Sequence, residues 1–157
     1  MPELRTVRLR LVPLAAAHAE DYAAFMPEED ARRETAESAA HWATHGFGPW
    51  AVLEGERFVG FAEVHYAGEG IGGIDPVEVE VGWVIGEDDR NRGFATEAMR
   101  AAIADAWSRS GADHLVAYIR PDNAISLRVA DKLGFRLRGP GRARSGDPVG
   151  VYVLDAP

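Results

Sequence analysis

The sequence predicts an α+β fold: a central mixed, mostly antiparallel twisted sheet of about six to seven strands flanked by about four helices. Segments of period two and of period 3.6 succeed one another as strand, two helices, three strands, helix, strand, helix and one or two closing strands. The three consecutive strands in the middle read as an antiparallel meander. A length of 157 residues with 46% apolar content suits a single core, and no repeat, low-complexity tract or linker divides it. Residues 1–157 are therefore expected to form one domain.

Thr6 to Leu14 alternates Val7, Leu9 and Leu11 with Arg8 and Arg10, the pattern of a half-buried strand. Ala15 to Phe25 and Glu28 to His45 are rich in alanine and polar residues without β-branched runs, giving two helices linked around Pro27. Trp50 to Leu53 and Arg57 to Tyr66 are strands separated by the turn Glu54-Gly55-Glu56, and Glu78 to Ile85 is a fourth, with valines on alternate positions. From Gly93, residues Ala95, Ala98, Met99, Ala102, Ile103, Ala106 and Trp107 recur every three or four positions, an apolar helical face that stops near Gly111. His114 to Ile119 is a fifth strand. Asp122 or Asn123 caps a helix that carries Ile125, Val129 and Leu133 and ends at Gly134, and Val149 to Leu154 closes the chain as an exposed edge strand.

A formal charge of −8 disfavours nucleic acid, which demands a concentrated basic surface, and fits a cationic substrate better. The absence of cysteine removes disulfides, thiolate metal sites and a cysteine nucleophile. No apolar run approaches the roughly 20 residues of a membrane span and no signal pattern opens the chain, so a cytoplasmic location without membrane association is expected.

Two clusters carry chemistry. The strand ending at Ile85 runs through Gly86-Glu87-Asp88-Asp89 into Arg90-Asn91-Arg92-Gly93-Phe94-Ala95-Thr96, which opens the long helix. Backbone N–H groups and two arginines at a helix N-terminus make an anion site, and Gly93 permits close approach of a phosphate. The competing interpretation is a plain strand-to-helix connection. The strand ending at Ile119 leads likewise into Asp122-Asn123-Ala124-Ile125-Ser126, with Leu133-Gly134-Phe135 at the far end of its helix. If the two strands are parallel neighbours, both helix starts face one edge of the sheet.

Arg90-x-x-Gly93-x-Ala95 resembles the acyl-CoA motif of the GNAT N-acetyltransferases, and Asn123-x-x-Ser126 followed by Leu133-Gly134-Phe135 resembles the second motif of that family. Leu4 to Leu14, Trp42 to Trp50 and Glu80-Val81-Gly82-Trp83 resemble its RimJ/RimL-like branch. The resemblance implies a sheet splayed between strands four and five, and acetyl-CoA as co-substrate with no metal. It places the pyrophosphate on amides of the Arg90, Asn91, Arg92, Gly93, Phe94, Ala95 and Thr96 segment, with added charge from Arg90. Trp83, Val84 and Ile85 would pair by main chain with the pantetheine arm, Asn123 would hydrogen-bond it, and Ser126 would sit near the thioester sulfur. The acceptor would be a protein N-terminal α-amine or a small primary amine, and the chain a monomer or homodimer. Two positions depart from the branch: Asn91 stands where glycine is common, which narrows the phosphate loop, and Asp89 where an aromatic is frequent.

Attack of an amine on a thioester requires a free amine, whereas a lysine of pKa about 10.4 or an α-amine near 8 is mostly protonated at neutral pH. A base is needed. Glu78 and Glu80, two apart on one strand, face the same side, and Glu80, beside Gly82 where the strand would kink, is the first candidate. The leaving thiolate, near pKa 8.5, needs only the modest help Ser126 can give, and a backbone N–H near Trp83 or Val84 would receive the oxyanion. The alternative from another class is a non-catalytic acyl-CoA-binding or regulatory domain of the same fold.

Other patterns are weaker. Gly68-Glu69-Gly70-Ile71-Gly72-Gly73 matches a dinucleotide fingerprint in letters but leads into a strand, so it reads as a mobile connection bordering the acceptor pocket. His41 and His45 lack the acidic partner of a metal motif, and Trp42, Phe47 and Trp50 read as core.

Overall fold

The computed structural model describes all 157 residues. Strands β1 (Leu4–Arg5) and β2 (Arg10–Pro13) replace the single continuous first strand expected from the alternation. Thr6 folds the chain back, its amide donating to the Leu9 carbonyl and its hydroxyl oxygen accepting from the Leu9 amide, and Val7 at the tip is 97% exposed. Glu97 fixes this turn by accepting from the Thr6 hydroxyl and from the amide and Nε of Arg8. A 3-10 turn at Ala16–His18 runs into α1 (Ala19–Tyr22), and α2 (Glu28–His45) starts directly after Pro27, with Glu28, Glu29 and Asp30 in its first turn complementing the helix dipole.

The meander follows: β3 (Trp50–Glu54), β4 (Arg57–Tyr66) and β5 (Val79–Ile85), antiparallel in sequence. Helix α3 (Phe94–Ser110) buries Phe94, Ala98, Met99, Ala102, Ile103 and Ala106, and Gly111 ends it in the left-handed conformation. Then come β6 (His114–Ile119), α4 (Ala124–Leu133), β7 (Arg136–Arg142) and β8 (Pro148–Asp155). Ile125, assigned by its spacing to the apolar face of α4, is 51% exposed, whereas Val129 and Ala130 turn inward.

One sheet of eight strands runs in the order β1-β2-β3-β4-β5-β6-β8-β7. The closing strand is not an edge, as its sequence position suggests. β8 lies between β6 and β7 and pairs antiparallel with both, so the outer edge is the glycine- and arginine-rich β7. The principal core of 22 residues packs α3 against the sheet and includes Trp42, Phe47 and Trp50. No helix is long and apolar enough to cross a membrane.

The feature that positions the site is the junction of β5 and β6. These neighbours are parallel, and a single pair, Glu80 with Val116, joins them before they diverge. Because the N-terminal strand divides in two, this is the expected splay between the fourth and fifth strands. Gly82 does not kink β5, whose register with β4 runs unbroken from Val79 opposite Tyr66 to Ile85 opposite Gly60.

Candidate active site

The amide of Gly86 donates to Val59 O, and that of Ala67 to Glu78 O, which sets the alternation between them. Glu80, Gly82 and Val84 direct their main-chain groups to β4, while Val81, Trp83 and Ile85 direct theirs towards β6. Beyond the Glu80–Val116 pair the strands part, so Trp83 and Ile85 present main-chain groups to an open gap. Val84, expected to share that role, turns its amide to Phe61 and contributes to the gap only as wall. The Ile85 carbonyl accepts from Arg90 Nε at 3.2 Å.

A cavity of about 310 Å³ opens in the gap, lined among others by Glu80, Trp83, Val84, Tyr118, Asn123 and Ser126. Asn123 caps α4, its Oδ1 accepting from the Ser126 amide at 3.1 Å. Capping occupies the oxygen and leaves the side-chain N–H groups free to donate. Ser126 is half-buried on the first turn of the same helix. The indole N–H of Trp83 is buried without a partner.

At the end of β5 a 3-10 turn, Glu87–Asp89, delivers the chain to α3. Asn91 is the only non-glycine residue with positive φ, at 64°, and Gly93 follows at 77°. Asparagine tolerates this conformation better than other side chains, so Asn91 substitutes for glycine in backbone terms and the loop keeps its path. The N–H groups of Asn91, Arg92, Gly93, Phe94, Ala95 and Thr96 have no acceptor within the protein, and helical bonding begins only with Glu97 N to Gly93 O. Such a nest at a helix N-terminus binds anions.

The arginines divide. Arg92 is committed to Glu54 at 2.6 Å and Asp89 at 3.1 Å and lies over the Phe94 ring, while Arg90 stays exposed. Asp89 is buried and also holds Arg57 at 2.7 Å, and the Arg57 guanidinium is the main reason its carboxyl titrates below the ordinary range. The aspartate thus anchors the cradle loop to the β3–β4 turn by charge. Arg8, read from the sequence only as a strand residue, places a guanidinium nitrogen 3.4 Å from where a Gly93 Cβ would stand. These residues fit a CoA pyrophosphate, with six free amides and a cation beside them.

A second cavity of about 520 Å³ lies on the other side of Glu80, lined by Glu34, Glu37, Glu63, His65, His41, Tyr118 and Arg144 among others. Glu63 and Glu80 line both cavities. Glu80 is 3% exposed, its Oε2 has no hydrogen-bond partner, and the nearest cationic candidate, His65 Nε2, stands 3.8 Å away. Burial pushes its carboxyl up to about 7, with the neighbouring Glu63 adding to the rise and His65 opposing it. Burial raises Glu63 as well. Gly82 faces Glu63 across the β4–β5 pair, and a Cβ there would come within 2.8 Å of a Glu63 carboxylate oxygen. The glycine supplies room for that carboxylate.

Glu78, the second sequence candidate for a base, is occupied elsewhere. Arg138 Nη1 donates to it at 2.7 Å and His114 Nε2 lies at 2.6 Å; the Arg138 hydrogen bond above all holds its carboxyl at about 2. It lines neither cavity. Glu63 and His65 escaped the sequence reading, although their alternation in Phe61-Ala62-Glu63-Val64-His65 places two ionisable groups on one face of an otherwise apolar strand. The Gly68–Gly73 segment is not loose. Gly72 pairs with Arg142 by main chain, and Arg144 donates to the carbonyls of Ala67 and Glu69. His41 and His45 share no metal geometry, since His41 bridges the Phe47 carbonyl and the Tyr66 amide. Trp42 is buried and donates to the Pro49 carbonyl.

Comparison with known proteins agrees with this geometry. Residues 8–136 match the family model described as an acetyltransferase (GNAT) domain. The uncharacterized N-acetyltransferase YjdG of Bacillus subtilis (strain 168) is 31% identical over 97 residues, 60% of this chain and 54% of the relative. YnaD of the same organism, likewise an uncharacterized N-acetyltransferase, is 33% identical over 60 residues, 38% of this chain and 35% of the relative. The chain thus spans between about a third and about half of the length of these curated relatives. Among solved structures, an acetyltransferase from Agrobacterium tumefaciens str. C58 superposes with a TM-score of 0.82 at 28% identity, covering 99% of this chain and 95% of that one. The fold alone is also shared with Mycobacterium smegmatis RimJ in complex with CoA-disulfide, at a TM-score of 0.71 and 18% identity over 94% of this chain and 82% of that one. The chain belongs to the GNAT acetyltransferase family.

Proposed function

We propose that the protein transfers an acetyl group from acetyl-CoA to an amine, either a protein N-terminal α-amine or a small-molecule primary amine. The observation that carries this reading is that Glu80, a buried carboxylate without a hydrogen-bond partner, lies where the gap between β5 and β6 meets an acidic cavity. Acetyl-CoA supplies an acyl group activated as a thioester. Its pyrophosphate would lie on the Asn91–Thr96 amides with Arg8 and Arg90 beside it, and its pantetheine arm along Trp83 and Ile85, with Asn123 opposite.

Glu80 has the ionisation suited to a general base at neutral pH, because a carboxyl near 7 is partly ionised there and still basic enough to take a proton. The Trp83 amide, the first past the last β5–β6 pair, is aimed to receive charge developing on the carbonyl oxygen. Ser126 has a hydroxyl on the first turn of α4 to donate to the leaving thiolate. A non-catalytic CoA binder would need the cradle but not Glu80. An unpartnered buried carboxylate costs stability, so its presence favours the enzyme. Thiol release from acetyl-CoA measured against peptides, polyamines, amino acids and aminoglycosides tests this. CoA release with at least one amine, lost in Glu80→Gln, is the expected result, whereas tight CoA binding without release across the panel would assign the chain to the binder class.

A further inference from the structure

The acidic cavity holds a cluster whose spacing goes beyond a lone base. One oxygen each of Glu63 and Glu80 and one ring nitrogen of His65 lie within 4.8 Å of one another, and the closest printed approach is 3.8 Å between His65 Nε2 and Glu80 Oε2. None of these atoms is hydrogen-bonded within the protein. His65 Nδ1 is 2.8 Å from the Tyr66 carbonyl, which fixes the neutral ring with Nδ1 donating and Nε2 as an acceptor facing the carboxylates. The nearby cations are engaged elsewhere: Arg33 donates to Asp30, and Arg144 to two carbonyls. With both carboxyls ionised, three acceptors therefore converge on one point, and no other protein group donates to them.

Two kinds of occupant suit such a set of acceptors. An R–NH₃⁺ group directs three N–H bonds at tetrahedral angles, and acceptors about 2.8 Å from its nitrogen stand about 4.6 Å apart. A zinc-class ion at about 2.1 Å would draw its ligands to about 3.4 Å of one another. The 3.8 Å between His65 Nε2 and Glu80 Oε2 falls between these two separations, so a small side-chain adjustment reaches either, and it is the amine of the proposed reaction that brings an ammonium to this cavity. We propose that Glu63, Glu80 and His65 form a three-acceptor cradle for the ammonium form of the acceptor, making Glu63 and His65 specificity-determining residues that favour primary over N-methylated amines. This rests on the acetyltransferase reading for its role, though not for its binding chemistry.

Proton loss to Glu80 Oε2 converts R–NH₃⁺ and a carboxylate into R–NH₂ and a carboxylic acid, so atoms and charge balance. It also removes one of the three hydrogen bonds. The amine, held then by Glu63 and His65, pivots on those two and turns its lone pair from Glu80 towards the gap. Gly82 belongs to this device, since any larger residue would displace the Glu63 carboxylate.

The test reads binding without acetyl-CoA. n-Butylammonium chloride is titrated into ¹⁵N-labelled protein while the His65 ring nitrogens, identified by their loss in His65→Gln, are followed by NMR. A saturable shift is expected, with affinity about tenfold weaker for N-methyl-n-butylammonium and about tenfold weaker again in Glu63→Gln, the loss of one charge-assisted hydrogen bond. Glu63→Gln keeps the side-chain volume, and its thermal midpoint verifies the fold. No saturable shift up to about 100 mM, equal affinity for the methylated amine, or a zinc-induced shift that n-butylammonium does not compete would each overturn the cradle. A protein that binds the ammonium but releases no CoA would sink the transfer reading and leave the cradle standing.

Discussion

Replacing Glu80 by glutamine separates the stability cost of the proposed base from its proposed catalytic use. A carboxyl that titrates near 7 in the folded chain and near 4.5 when exposed binds more protons folded than unfolded between those values. Stability contributed by its protonated form is therefore full below about pH 4.5 and is lost as pH rises through about 7. At about 1.4 kcal/mol per unit, the ionised carboxylate costs about 3 kcal/mol at alkaline pH and about 1 kcal/mol at about pH 5. Glu80→Gln keeps the shape and removes the titration. In urea unfolding the variant should gain about 2 to 3 kcal/mol on the wild type between about pH 5 and about pH 8, while thiol release loses its acidic limb near neutrality. Parallel stability profiles for the two proteins would refute the claim that burial has raised Glu80. An acidic limb retained in Glu80→Gln would move the base elsewhere.

Ser126→Ala should lower turnover about tenfold, the scale of one hydrogen bond to a developing anion, with little change in the acetyl-CoA dissociation constant; unchanged turnover ends its role. Asn91→Ala forces an ordinary side chain into left-handed backbone at a cost of about 1 kcal/mol, so the KM for acetyl-CoA should rise with kcat preserved, and Asn91→Gly should restore it. Glu78, held near 2 by Arg138, contributes stability present above about pH 4.5 and lost as pH falls towards about 2. Arg138→Ala should raise the pH of acid unfolding, followed by circular dichroism, without altering the neutral pH-rate profile.

The donor half of the candidate site is legible in the sequence because it is built from backbone. A nest of free amides requires a strand end, a residue that accepts positive φ and a helix start, and these leave local marks: Ile85, Asn91, Gly93 and the apolar period from Ala95. The cap at Asn123 is equally local, since its oxygen bonds to the Ser126 amide three residues on. Features decided by distant partners leave no such local mark. Nothing within Thr6–Leu9 announces that Glu97 will hold it as a turn, and the insertion of β8 beside β6 is decided by pairing across the sheet.

The acceptor half is built from side chains brought together across the sheet, and its logic is visible only in three dimensions. Glu78 and Glu80 are two residues apart on the same stretch of chain, yet one meets Arg138 and His114 while the other meets no cation within hydrogen-bond reach. The Arg138 hydrogen bond holds the first carboxyl at about 2, and burial raises the second to about 7. Spacing along a strand fixes which side a residue faces, but its ionisation depends on what the neighbouring strands present. For Glu80 those neighbours are His65 directly opposite on β4, Glu63 two residues before His65, and Val116 on β6, beyond which the gap opens. The pair of Glu80 with Val116 is the last between β5 and β6, so the divergence that leaves the main-chain groups of Trp83 and Ile85 open starts immediately beyond Glu80. A single break in the sheet therefore opens the proposed donor channel next to the proposed base, and Glu80 lines both cavities.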